Sequence, residues 1–258
     1  MSIQGIKSQS YCRITRFLTK NRRKDAVKNR IEVGFVRLQK RSFKMKLIHL
    51  KSGTDVRGVA VATEKHPEIQ LTDEVVKAIS GAFIGFLCEK TGKNAENLTV
   101  SVGHDSRISA MRIKDAVISE ISQMGVNVLY CSYCSTPAMF MTTVTRNCDG
   151  AIQITASHHP FDRNGLKFFT RDGGLSGDEL KSILANAENE KNIKSEKIGT
   201  VTEFDYISEY SDILRDMIKK GVNAEDYEKP LKNFKIAVDA GNGVGGFYVF
   251  VNQLWYGL

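Results

Sequence analysis

The residues best suited to do chemistry fall in one short stretch, 153–171, which carries a hydroxyl at Ser157, two imidazoles at His158 and His159, and an ammonium at Lys167. A serine hydroxyl accepts a phosphoryl group when a base takes its proton and cations offset the charge that develops. The Asn164-Gly165 pair adds a turn able to expose backbone N–H groups. These residue types suit phosphate handling. They are also the types that build ordinary polar turns, so composition alone leaves both readings open.

The elements that must position this stretch follow from its flanks. An apolar run over 151–154 predicts a short buried strand, and 166–170 predicts a second one. Between them Pro160 and the Asn164-Gly165 pair enforce a tight loop at a sheet edge, where a rigid scaffold can present reactive groups. Upstream, a strand over 98–102 ends in Gly103-His104-Asp105-Ser106-Arg107, a strand-to-helix turn held by an Asp105 cap and an Arg107 ion pair. Earlier still, Arg57 sits among small residues in a glycine-bounded turn over 52–59. It reads either as a solvated surface arginine or as a planar cation that grips phosphoryl oxygens in pairs.

Helices are predicted over 72–90, with Thr72 as cap and acids in the first turn, and over 109–124, 175–190 and 203–220. Another opens at Ser135-Thr136-Pro137 with Thr136 as its cap, and Met139, Met141 and Val144 are its core face. Further strands are predicted over 126–131 and 234–238. Strands alternating with helices make an α/β chain. Gly241, Gly243 and Gly246 also spell G-x-G-x-x-G after a strand, which would mark a dinucleotide site if a helix followed and an acid came about twenty residues on.

Composition narrows the class. The 258 residues are 41% hydrophobic and 26% charged, ordinary for a globular protein. No uninterrupted apolar run approaches the length that spans a membrane. The net charge of +8 is unevenly placed, since residues 1–50 hold 14 of the 37 Lys/Arg and only two of the 29 acids. The remainder is therefore mildly acidic, which argues against a nucleic-acid-binding body. The five cysteines (Cys12, Cys88, Cys131, Cys134 and Cys148) are odd in number and scattered, which fits free thiols in a reducing compartment. Cys131 and Cys134 form a C-x-x-C without the second ligand pair that zinc needs, so they are incidental core thiols or a redox pair.

The order of the residues adds a resemblance. Thr155-Ala156-Ser157-His158-His159-Pro160 followed by Asn164-Gly165-Leu166-Lys167 is similar to the active-serine loop of the α-D-phosphohexomutases, the phosphoglucomutase and phosphomannomutase superfamily. The stretch Gly53-Thr54-Asp55-Val56-Arg57-Gly58 resembles that family's opening motif, and Val238-Asp239-Ala240-Gly241-Asn242-Gly243-Val244-Gly245-Gly246 resembles the start of its second domain. His104 and His159 depart from the family pattern, while Asp105 and Arg107 match it. The resemblance implies a three-layer α/β/α phosphohexomutase-type domain I over 47–200, the beginning of a similar domain II over 201–258, and a basic leader over 1–46.

It also implies roles. Phospho-Ser157 would exchange phosphate with a phosphohexose, with Lys167 and His158 as acid–base or charge-stabilising partners. Arg57 and Asn164 would be phosphate contacts, with Asn164 more a turn former than a ligand contact. A hexose bisphosphate would serve as activator. Mg2+ would sit on the Ser157 phosphate and on an Asp-Gly-Asp-x-Asp-Arg loop that these 258 residues do not contain. A truncated chain of low turnover is therefore expected, with a non-catalytic remnant and a dinucleotide binder as alternatives. The leader implies a plastid or mitochondrion, whereas a start at Met45 implies the cytoplasm.

Overall fold

The computed structural model describes residues 46–189 and 195–232, with 234, 235, 237, 239–241, 243 and 245. The basic leader, the completed strand over 234–238 and the Gly241–Gly246 run all include residues outside that set.

Alternating strand and helix signals resolve into one mixed sheet. Its strands are β1 (Lys51–Ser52), β2 (Asp55–Val59), β3 (Thr99–His104), β4 (Asn127–Tyr133), β5 (Gly150–Ile154), β6 (Arg163–Thr170), β7 (Gly173–Gly174) and β8 (Val201–Glu203). The order is β1-β2-β6-β5-β3-β4-β8, with β7 alongside β6. The segment β5-β3-β4-β8 is parallel, and β6, β2 and β1 extend it as an antiparallel wing. β3 and β5 are buried almost throughout, as strands covered on both faces must be.

The helices α1 (Asp73–Thr91), α2 (Ala110–Gln123) and α4 (Gly177–Ala187) contribute Ile79, Phe83, Ile113, Val117, Leu180 and Leu184 to one core. The helices α3 (Thr136–Thr145) and α5 (Tyr206–Val222) contribute Ala138, Met139, Tyr206 and Tyr210 to a second, with Cys131, Cys134 and Ala151. The sheet is thus sandwiched, giving the α/β/α architecture.

Local signals set the helix starts. The Thr72 side chain accepts from the Val75 N–H, and Ser176 with Glu179 forms a reciprocal capping box on α4. The cap of α3 is Ser135, whose hydroxyl accepts from Ala138 N–H, and not Thr136. The reason is geometric: Ser135 has the extended backbone a cap requires, whereas Thr136 is already helical, with proline following at the first turn.

Strand β8 lies parallel on β4, pairing Val128 with Val201 and Tyr130 with Glu203. Tyr206, Ile207 and Tyr210 then bury in the second core, and the Tyr206 hydroxyl bonds Thr145 Oγ1 at 2.8 Å. Strand pairing of this kind is non-local, so the sequence of β8 carries no mark of its partner.

Candidate active site

Strand register assembles the site. β6 runs antiparallel to both neighbours, pairing Arg57 with Gly165 on β2 and Gln153 with Lys167 on β5. Residue 165 must be glycine, because a Cβ there would stand 2.1 Å from the Val56 carbonyl oxygen. One step beyond the Val56–Leu166 pair, Asp55 faces Lys167, and its Oδ2 takes an ion pair from the Lys167 ammonium and another, at 2.8 Å, from Arg57. Arg57 is 7% exposed and also donates to the Thr155 carbonyl. Burial pulls the Arg57 guanidinium below its ordinary range while the Asp55 charge works to restore it. An arginine has margin enough to remain a cation. Asp55, Arg57 and Lys167 form one side of the site.

The serine loop forms the other. Ser157 is exposed and has φ +55°, a left-handed conformation that a residue with a Cβ adopts only under restraint. The Arg107 guanidinium supplies much of that restraint, donating to the carbonyls of Ser157 at 2.8 Å, His159 at 2.7 Å, Pro160 at 2.7 Å and Arg163 at 2.9 Å. Asp105 accepts from the Arg107 N–H at 3.1 Å, and its Oδ2 lies 3.4 Å from Arg107 Nε. Asp105 thus closes a turn on Arg107 while the cap position of α2 falls at Ser109, and the arginine reaches across to hold the loop.

At the far end of the loop the Asp162 carbonyl accepts from the N–H groups of Ala60 and Val61. The Asp162 carboxylate accepts from His66 Nδ1 at 2.6 Å, which holds it below the usual carboxylate range.

His158 and His159 stack with ring centroids 5.3 Å apart, and His158 Nδ1 stands 3.5 Å from Ser157 Oγ. That is the outer limit of a hydrogen bond, leaving the serine hydroxyl free to meet a ligand. Partial burial, then the nearby Arg57 and His158, push His159 below the ordinary imidazole range. Asn164 does not face the site. It is fully buried, its amide nitrogen donates to Ser109 Oγ and its oxygen accepts from Gly165 N–H. Asn164 and Gly165 lie within β6, opposite Gly58 and Arg57 of β2, so the pair stands in a strand and not in the expected turn, and both ends of the Asn164 amide are engaged inside the fold.

Several site residues went unrecognised in the sequence. Asp55 is two residues before Arg57 on one strand, hence on the same face, and that spacing was a usable signal. His66 joins the loop only through a tertiary contact.

Among the described residues no group of three or more His, Cys, Asp and Glu stands close enough to hold a metal ion. Ser157 is flanked by cations, and Asp55 is already committed to two of them. These residues do not by themselves fit a divalent ion. Cys131, Cys134 and Cys148 are free, buried thiols. An open cleft of about 650 Å³, lined in part by Lys114, Tyr130, Tyr133 and Phe204, lies at the end of β4 and includes no serine-loop residue.

Comparison with known proteins places this geometry. Residues 50–194 match the family described as phosphoglucomutase/phosphomannomutase, alpha/beta/alpha domain I. A phosphoglucosamine mutase of Alkaliphilus oremlandii is 34% identical over 200 residues, covering 74% of this chain and 40% of its own length. A phosphoglucomutase of Neisseria meningitidis is 29% identical over 204 residues, covering 79% of this chain and 39% of its own. The chain thus spans about two fifths of the length of these relatives. A crystal structure of a phosphoglucomutase/phosphomannomutase family protein from Burkholderia thailandensis superposes with TM-score 0.56 at 22% identity, over 67% of this chain and 37% of that one. At that identity the likeness speaks for the fold.

Proposed function

We propose, because this chain belongs to the phosphoglucomutase/phosphomannomutase family, that it is the phosphoserine-bearing part of a phosphohexose mutase. In the forward step the hydroxyl of a bound hexose monophosphate attacks the phosphorus on Ser157. The new P–O bond forms as the bond to Ser157 Oγ breaks, the sugar hydroxyl gives up its proton, and Ser157 Oγ takes one. The bisphosphate then reorients, and its other phosphoryl group returns to Ser157 by the reverse sequence. Charge builds on the equatorial oxygens, so fixed cations contribute most of the stabilisation.

Arg57 orients phosphoryl oxygens with its planar fork. The Lys167 ammonium offsets charge, gives a proton to Ser157 Oγ as that oxygen leaves and takes up the proton that the sugar hydroxyl releases, and His158 is the imidazole beside Oγ. No step is routed through a metal ion, and the described residues supply no seat for one.

The observation that supports this reading is an exposed serine in a strained conformation, its carbonyl held by Arg107 and its hydroxyl 3.5 Å from the His158 ring nitrogen. Its test is incubation of the 258-residue chain with a hexose 1,6-bisphosphate and Mg2+, followed by intact-mass and peptide analysis. Phosphate is expected on Ser157 and absent from Ser157→Ala. A chain that never takes up phosphate would instead support a non-catalytic module.

A further inference from the structure

Four hydrogen bonds meet at Thr155, through its peptide N–H, its carbonyl and its hydroxyl, and no role attaches to the residue so far. Its N–H donates to the Gly165 carbonyl at 3.1 Å, and its carbonyl accepts from the Arg57 guanidinium. Its hydroxyl donates to Asp105 Oδ2 at 2.6 Å and accepts from the Ser157 N–H at 3.0 Å. Thr155 is 5% exposed, so none of these groups can turn to water without cost.

The direction of the hydroxyl proton follows from chemistry. A carboxylate only accepts, so the Thr155 proton points at Asp105 and a lone pair is left facing the Ser157 amide. We infer that Thr155 is a positioning residue for the phosphoryl-accepting serine. It holds Ser157 in its left-handed conformation and couples that conformation to both cationic arms, Arg57 with Asp55 on one side and Arg107 with Asp105 on the other.

The alternatives for Ser157 make the point sharper. Released to an ordinary backbone conformation, it would swing its hydroxyl away from its present line of approach. Arg107 grips four carbonyls of the loop but touches no N–H of Ser157. The amide side of that residue is therefore held by Thr155. A displacement of a reacting group by about 1 Å costs on the order of a hundredfold in rate.

This inference rests on the proposed phosphoserine role for its consequence in rate, and on geometry alone for its consequence in structure, so two readouts separate them. Thr155→Val keeps the shape and removes the hydroxyl, while Thr155→Ser keeps the hydroxyl. Amide hydrogen exchange at Ser157 is expected to quicken at least tenfold in Thr155→Val and to stay near wild type in Thr155→Ser. Phosphate uptake from a hexose 1,6-bisphosphate is expected to slow ten- to a hundredfold in Thr155→Val and less than about threefold in Thr155→Ser.

Asp105→Asn, which removes the charge orienting the hydroxyl, is expected to fall between them and serves if Thr155→Val does not fold. Unchanged exchange at Ser157 in a folded Thr155→Val, or in Asp105→Asn if the valine variant is lost, would overturn the inference. Uptake slowed equally in the serine and valine variants would also overturn it, because the hydroxyl would then not be the group that matters. If wild type takes up no phosphate, the mutase reading fails and the exchange result still decides the role of Thr155.

Discussion

The Asp55 carboxylate holds two cations at once, and this shapes what Lys167 can do. An ammonium already paired with a carboxylate is well suited to steady charge on an incoming phosphoryl group, and it must partly leave Asp55 to reach one. Removing a single preorganised donor of this sort typically slows transfer by about a hundredfold or more. Lys167→Met is therefore expected to slow phosphate uptake at Ser157 on that scale while shifting the melting temperature little, because methionine keeps the apolar stem and Asp55 keeps its ion pair with Arg57. Paired measurements of uptake rate and thermal unfolding check this, and a slow variant that also melts far earlier would point to misfolding in place of lost chemistry. Residue type and order singled out Ser157, Arg57 and Lys167 as candidates. The Asn164-Gly165 pair read as a turn, whereas both residues lie in β6 and Asn164 is fully buried.

At the level of elements, β6 is the piece that brings the site together, since it lies between β2 and β5 and ends against the serine loop. Its Gly165 allows the close approach of β2, where a Cβ would meet the Val56 carbonyl at 2.1 Å and Arg57 Cδ at 2.8 Å. Gly165→Ala is expected to destabilise the fold by about 2–3 kcal/mol, as overpacking against backbone does, and to weaken phosphate uptake by displacing Arg57. Denaturant unfolding measures the first effect. Stability equal to wild type would mean that the two strands separate more easily than their register indicates. The helices and the strands β3 to β6 were readable from periodicity and caps, down to Thr72 on α1, whereas β2, which carries Arg57, read as a turn. The cap of α3 and the membership of β8 were not, because one depends on backbone angles and the other on a partner about seventy residues away.

Over the whole molecule, titrating groups bound the range of pH in which this arrangement is stable. Asp162 is held below the usual carboxylate range by its bond to His66. A lowered folded value means the stabilisation is present above the unfolded value and is lost as pH falls through the folded one. Asp162→Asn is therefore expected to flatten the acid arm of the stability curve. On the alkaline side, burial pushes the Cys148 thiol up to about 11. A raised value means the unfolded chain ionises first, so stability declines as pH rises above the ordinary thiol range. Cys148→Ala is expected to make that decline shallower. Melting temperatures from strongly acid to strongly alkaline buffer test both arms, and an alkaline arm identical in wild type and Cys148→Ala would show that another group sets it.

By itself the sequence determined the α/β class, the loop that carries Ser157 and the family to which it belongs, because these reside in short-range order: periodicity, turn residues and a contiguous motif. Tertiary structure alone decided that Arg107 grips the loop through four carbonyls, that Thr155 joins two cationic arms, and that β8 adds to the sheet beside β4. The physical reason is common to all three. Each depends on backbone groups, which every residue carries alike, meeting across tens of positions in the chain, and a backbone carbonyl leaves no trace in the identity of the residue that offers it.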